Sequence, residues 1–219
     1  MNRLAIFDCD GTLVDSQHNI CAAMTECFTA AGLAPPAAER TRAVVGLSLV
    51  EAMRALLPAG EPALHDDLAE RYKSTFHAMR VRGLADEPLF DGVAELVVGL
   101  EADGWLLGIA TGKSDRGIAL CLEAHGLAER FVTIQTADRH PSKPHPSMVG
   151  QAIAEAGAAP ETCVLVGDTS YDMAMARAGG ATAIGVAWGY HAPDALVRAG
   201  AHHIAAYPGD ILHLTKALA

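Results

Sequence analysis

Aromatic residues are scarce in this chain: Phe, Trp and Tyr together make up 5% of its 219 residues. That leaves few rings for the stacking platforms that hold single-stranded nucleic acid. Positive charge is also short, with 16 Lys and Arg against 26 Asp and Glu and a net charge of −10. Such a balance opposes general phosphate-backbone binding, so no nucleic acid is expected as a partner. An acidic protein that handles an anion needs a local cation to do so. Cysteine supplies neither a metal motif nor a disulfide framework. Cys9, Cys21, Cys27, Cys121 and Cys163 are odd in number and contain no CxxC pair, the usage of a reduced chain. No apolar run reaches the ~20 residues that span a bilayer. Leu4–Phe7 is too short for the apolar core of a secretory signal. The expectation is a cytoplasmic protein, monomer or homodimer, with no membrane partner, no internal repeat and no low-complexity segment.

Aliphatic residues are what the chain has in plenty: 51% of it is hydrophobic. Leu4–Phe7 is a continuous apolar run, the pattern of a strand buried on both faces. From Ser16 to Gly83 only helical signals follow. Ile20, Ala23, Met24, Cys27, Phe28 and Ala31 share one helical stripe, and Gly32 is placed to end that helix. Ser48 and Glu51 have capping-box spacing ahead of a helix that Pro58 terminates. Leu64, Leu68, Tyr72, Phe76 and Met79 mark a third helix. After Pro88 the pattern alternates. Helices are expected over Val93–Leu100, Ile118–Ala124, Met148–Glu155 and Met173–Ala178. Strands are expected over Trp105–Ala110, Phe131–Thr136, Cys163–Val166 and Ala181–Ala187, with a weak one near His202–Ala205.

Alternation of this kind predicts an α/β fold, a doubly wound, Rossmann-like parallel sheet. The all-helical stretch after the first strand is too long for a loop. It reads as an inserted helical cap over 16–83, with 1–15 and 84–219 forming the core.

Ligands of an open α/β sheet bind beyond the carboxyl ends of its strands. The first strand leads into Asp8 and Asp10, the second into Thr111-Gly112-Lys113. After the third comes the loop Ser142-Lys143-Pro144-His145-Pro146, and after the fourth Gly167-Asp168-Thr169-Ser170-Tyr171-Asp172. Asp10-Gly11 alone reads equally well as a turn, and Asp168 with Asp172 as complements to a helix N-terminus. Together, Asp8, Asp10, Asp168 and Asp172 gather four carboxylates. At ~4 Å and an effective dielectric of about 20, each close pair repels by roughly 4 kcal/mol. Lys143 alone cannot offset that; a hard dication can, and all-oxygen ligation favours Mg²⁺.

Carboxylates, a hydroxyl, a lysine and a metal suit phosphoryl transfer, where positioning and charge neutralisation dominate. Asp8 is the candidate nucleophile and Asp10 the candidate acid and base. Thr111 and the Gly112 N–H are candidate phosphate holders, with Lys143 neutralising charge. Asp168 and Asp172 are candidate metal ligands. Cys9 is expected to point into the core.

These motifs, DxDGT at Asp8–Thr12, Thr111, Lys143-Pro144 and GDxxxD at Gly167–Asp172, resemble the haloacid dehalogenase superfamily in kind and order. The resemblance spans most of the chain. Val14-Asp15-Ser16 and Lys143–Pro146 extend it toward the phosphoglycolate phosphatase-like branch with a helical cap. The resemblance implies hydrolysis of a small phosphorylated metabolite through an aspartyl-phosphate. It also implies Mg²⁺ ligation by the Asp10 backbone carbonyl beside Asp8, Asp168 and Asp172. A β-phosphoglucomutase-like mutase is the competing reading, but such mutases carry a basic residue where this chain has Gly46-Leu47-Ser48-Leu49. A non-catalytic interaction module is a further alternative, although no catalytic position is missing.

Overall fold

The first strand, β1 (Asn2–Phe7), leads directly into four helices: α1 (Gln17–Ala30), α2 (Ala38–Arg42), α3 (Leu49–Leu56) and α4 (Pro62–Val81). Only then does the chain alternate, through α5 (Val93–Ala102), β2 (Trp105–Thr111), α6 (Asp115–Ala124) and β3 (Phe131–Thr136). It continues with α7 (Ser147–Ala156), β4 (Ala158–Gly167), α8 (Ser170–Ala178), β5 (Thr182–Val186), α9 (Pro193–Arg198), β6 (His203–Ala205) and α10 (Pro208–Ala217). The structure is a computed structural model and describes residues 1–217.

Every strand pairing is parallel, and the sheet order is β3-β2-β1-β4-β5-β6. Side-chain alternation along β1 divides its apolar run between two cores. Leu4 and Ile6 pack with Met148, Val149, Met173 and Leu196 of α7, α8 and α9. Ala5 and Phe7 face the opposite way, toward Leu96, Ile118, Leu122 and Ile211 of α5, α6 and α10. The helical insert has a third core of its own, built on Met24, Phe28, Met53, Leu68 and Tyr72. The sheet therefore positions the loops after its strands, and the insert supplies a separate body beside them.

The structure corrects one local expectation. Ser48 precedes α3 in extended conformation, but its side chain makes no capping bond. Glu51 pairs with Arg54 on the exposed helix surface instead. The Ser48 N–H donates to Ser142 Oγ at 2.9 Å, tying the insert to the loop that carries Lys143. Three short or terminal helices, α2, α9 and α10, add to those expected. Strand β4 begins at Ala158 rather than Cys163, its extra residues joined to β1 across a register shift.

Candidate active site

Strand order reverses between β1 and β4, so a crevice opens where those two strands end. Asp8 follows β1 there, its N–H donating to Val166 O of β4 at 2.9 Å. Asp168 follows β4. Gly11 sits at φ +82°, and a Cβ at that position would overlap the Asp168 carboxylate. A side chain at Gly167 would collide with Asp172 in the same way. The first motif closes on the second because Gly11 lacks a side chain, and Gly167 leaves room for Asp172 within its own motif. Beyond Asp10 the chain turns tightly, with the Leu13 and Val14 N–H groups returning to Cys9 O at 2.9 and 3.1 Å. The turn and the acidic cluster are one feature.

Asp8, Asp168 and Asp172 each bring a carboxylate oxygen within 4.8 Å of the others, and all three residues are buried. Lys143 is buried among them, its Nζ 2.8 Å from Asp8 Oδ1 and 2.7 Å from Asp172 Oδ1. Asp168 is oriented by the Tyr190 N–H at 2.9 Å and the Thr12 hydroxyl at 3.1 Å. Asp172 Oδ2 accepts from the Thr169 N–H at 3.0 Å and the Thr169 hydroxyl at 2.6 Å, completing a capping box on α8. The helix-cap reading of Asp172 therefore holds, and the same residue is a member of the carboxylate cluster.

Asp8 differs from its neighbours. Neither of its oxygens accepts a hydrogen bond of good direction, although Lys143 stands beside it as an ion-pair partner. Burial raises the Asp8 carboxyl to about 7, against the pull of Lys143, with Asp172 and Asp10 adding to the rise. Burial, then the charges of Asp8 and Asp172, also holds Asp168 well above the ordinary carboxylate range. Lys143 stays above its own ordinary value: burial opposes its charge, but Asp172 and Asp8 outweigh burial. One ammonium among three carboxylates leaves an excess of negative charge, and the donors are all hard oxygens. That set fits a divalent cation of the Mg²⁺ type.

The expected fourth carboxylate does not join. Strand β1 ends at Phe7, so strict alternation stops before Asp10. Asp10 Oδ1 lies 2.8 Å from Lys113 Nζ and accepts from the Ser16 hydroxyl. Lys113 in turn lies 2.6 Å from Glu87 Oε1, and Arg80 of α4 pairs with the other oxygen of Glu87. Burial pulls the Lys113 ammonium down, but Asp10 and Glu87 together with Cys9 hold it well above its ordinary value. Lys113 and Ser16 were visible in the motifs, but their contacts with Asp10 were not. Glu87 carries no signal of its link to the site, because Lys113 is 26 residues away.

Thr111 ends β2 fully buried, its hydroxyl accepting the Lys113 N–H at 3.1 Å. The N-cap of α6 is Ser114, three residues later. Cys9 points into the core, as expected, with its Sγ 3.8 Å from Cys121 Sγ. Between the insert and the sheet loops lies a cavity of about 370 Å³, reached by Asp8, Asp10, Gly112 and Lys113 from the core side.

The chain is similar to known proteins over most of its length. A family model described as "Haloacid dehalogenase-like hydrolase" matches residues 5–186. "Probable phosphatase IndB" of Dickeya dadantii is 36% identical, over 90% of this chain and 86% of that protein. A phosphoglycolate phosphatase of Xylella fastidiosa is 30% identical, over 88% of this chain and 83% of its own length. The crystal structure of a hydrolase from Pseudomonas syringae superposes with a TM-score of 0.87 at 27% identity, covering both chains completely.

Proposed function

The chain belongs to the haloacid dehalogenase-like hydrolases, and from that membership and the geometry of its site we propose that it is a Mg²⁺-dependent phosphatase of small phosphomonoesters. The observation that carries the reading is Asp8. It is buried and lines the cavity, with Lys143 Nζ 2.8 Å from its Oδ1 as a charge partner and two further carboxylates within reach. A nucleophile has to reach the reacting group, and Asp8 faces the cavity where that group would sit.

In this mechanism an Asp8 oxygen attacks phosphorus and forms an aspartyl-phosphate, while the bond from phosphorus to the leaving oxygen breaks. Asp10, held by Ser16 and Lys113, gives that oxygen its proton. In the second half Asp10 takes a proton from water as the water attacks phosphorus, and Asp8 is released. Thr111 and the Gly112 N–H hold phosphoryl oxygens, and Lys143 neutralises charge on them. Asp8, Asp168 and Asp172, with the Asp10 backbone carbonyl, would hold Mg²⁺, which supplies neutralisation of the transferring group. Residues 16–83 act as the cap that selects the leaving group, on a core of 1–15 and 84–219. Gly46–Leu49 presents no basic side chain to the cavity, which favours hydrolysis over a mutase cycle.

Phosphate release from small esters, 2-phosphoglycolate among them, tests the assignment. Activity should require Mg²⁺, and Asp8→Asn should lower kcat by at least about a thousandfold. Retention of wild-type turnover in that variant, or equal turnover with a chelator present, would sink the mechanism.

A further inference from the structure

The cavity above Asp8 and Asp10 is walled mainly by carbon. Ile20 and Met24 of α1, Val44, Leu49 of α3, and Tyr72 and Phe76 of α4 line it. Tyr72 and Phe76 pair at 5.9 Å between ring centroids, so one wall is an aromatic surface. A volume of about 370 Å³ is enough for a ring-sized group. A two-carbon acid would leave most of that wall bare.

The cations nearest Asp10 are already committed. Lys113, the one nearest the chemistry, contacts both Asp10 and Glu87. Arg80 is paired with Glu87, and Lys73 lies 2.8 Å from Glu70 at the exposed face of α4. Arg116 is exposed at the rim of the cavity, 3.5 Å from the ring nitrogens of His77. A carboxylate on the leaving group would therefore enter a largely apolar chamber with Asp10 close by and Lys113 and Arg80 already paired, leaving the exposed Arg116 at the rim to meet it. Burying a charge without a partner is strongly unfavourable. Burying a ring against Phe76 and Tyr72 is favourable.

We infer that the preferred substrate is the phosphate monoester of an alcohol bearing an uncharged, ring-sized apolar body, rather than a phosphorylated short-chain acid. The inference rests on the phosphatase reading above and adds the leaving group to it. Phe76 is its specificity-determining residue, because its ring lines the apolar wall of the cavity, with Lys113 Nζ 5.8 Å from the ring centroid.

Three alkyl esters with alcohols of similar acidity separate the possibilities: 2-phenylethyl phosphate, ethyl phosphate and 2-phosphoglycolate. Initial rates of phosphate release are measured with the full chain and Mg²⁺. The expected kcat/KM for 2-phenylethyl phosphate exceeds that for each of the others by about tenfold to a hundredfold. In Phe76→Ala the ratio of 2-phenylethyl to ethyl phosphate should fall by about tenfold. A merely structural lesion would lower both rates and keep the ratio. Turnover that favours ethyl phosphate or 2-phosphoglycolate overturns the inference and leaves the phosphatase reading standing. A ratio unmoved by Phe76→Ala overturns the assignment to this cavity. No phosphate release from any of the three, nor from p-nitrophenyl phosphate, overturns the phosphatase reading and the inference with it.

Discussion

A carboxylate withdrawn from water is costly to ionise, even with an ammonium beside it. Asp8 is in that position, and burial, the largest influence on it, raises its carboxyl from 3.8 to about 7. The folded value lies above the unfolded one. Its contribution to stability is therefore fully present below about pH 4 and is lost as pH rises through about 7. Asp168 is shifted in the same direction. A bound cation reverses the balance, because it requires ionised ligands and stabilises the state that holds them. Magnesium should accordingly raise the melting temperature more at about pH 8 than at about pH 5, and Asp8→Asn should shrink that difference. A thermal shift series with and without excess Mg²⁺ decides the matter; equal magnesium shifts at the two pH values would refute it. Asp8 was readable in the sequence because a buried strand led straight into it. The environment of Asp10 was not, since the side chains that hold it, Ser16 and Lys113, converge only after the turn at Gly11 and the return of β2.

Helix α8 joins structure to chemistry within a single turn. Thr169 is its N-cap, and Asp172 is at once the reciprocal member of the capping box and one of the three clustered carboxylates. The Thr169 hydroxyl donates to Asp172 Oδ2 at 2.6 Å and fixes which oxygen faces Lys143. Thr169→Val keeps the shape and removes the donor. The metal-free protein should lose about 1 kcal/mol of stability with the cap. Affinity for magnesium should fall by about tenfold as Asp172 loses its orientation. Denaturant melts and calorimetric titration with Mg²⁺ read the two effects separately; a stability loss with unchanged magnesium affinity would make Thr169 a cap alone. The GDxxxD spacing announced this helix, just as Gly32 at φ +73° announced the end of α1. Helices α2 and α9 have five and six residues, too few to show a periodic stripe. At Ser48 the capping-box spacing misled, because the residue is engaged by Ser142 across the molecule and not by its own helix.

The insert meets the core through a few close backbone approaches. A Cβ at Gly112 would stand 2.8 Å from Leu47 O and 2.9 Å from Gly46 O, so the loop after β2 and the loop before α3 touch main chain to main chain. Gly46, at φ +92°, packs against Thr169, and the Tyr171 hydroxyl donates to Ala43 O at 3.0 Å. These contacts seat the insert over Asp8 and Asp10. An insert after β1 was plain from the sequence, because some seventy residues of helical periodicity interrupted the alternation. Its landing place was not, since a glycine whose role is to admit a distant carbonyl looks like any loop glycine. Backbone oxygens cannot swing aside as a flexible side chain can, so in Gly112→Ala the insert itself has to retreat. The insert keeps its own apolar core, and the two sheet cores lie elsewhere. The variant should therefore remain folded and still bind Mg²⁺, while kcat/KM falls by about tenfold or more because water is no longer excluded and the leaving-group wall is displaced. Small-angle scattering should show a larger radius than wild type. Gly150→Ala is the matched control: it lies within α7 with open space around it, and a β-carbon there favours the helix. If Gly112→Ala matched Gly150→Ala in both kcat/KM and radius, contact between the two loops would have no part in closing the site.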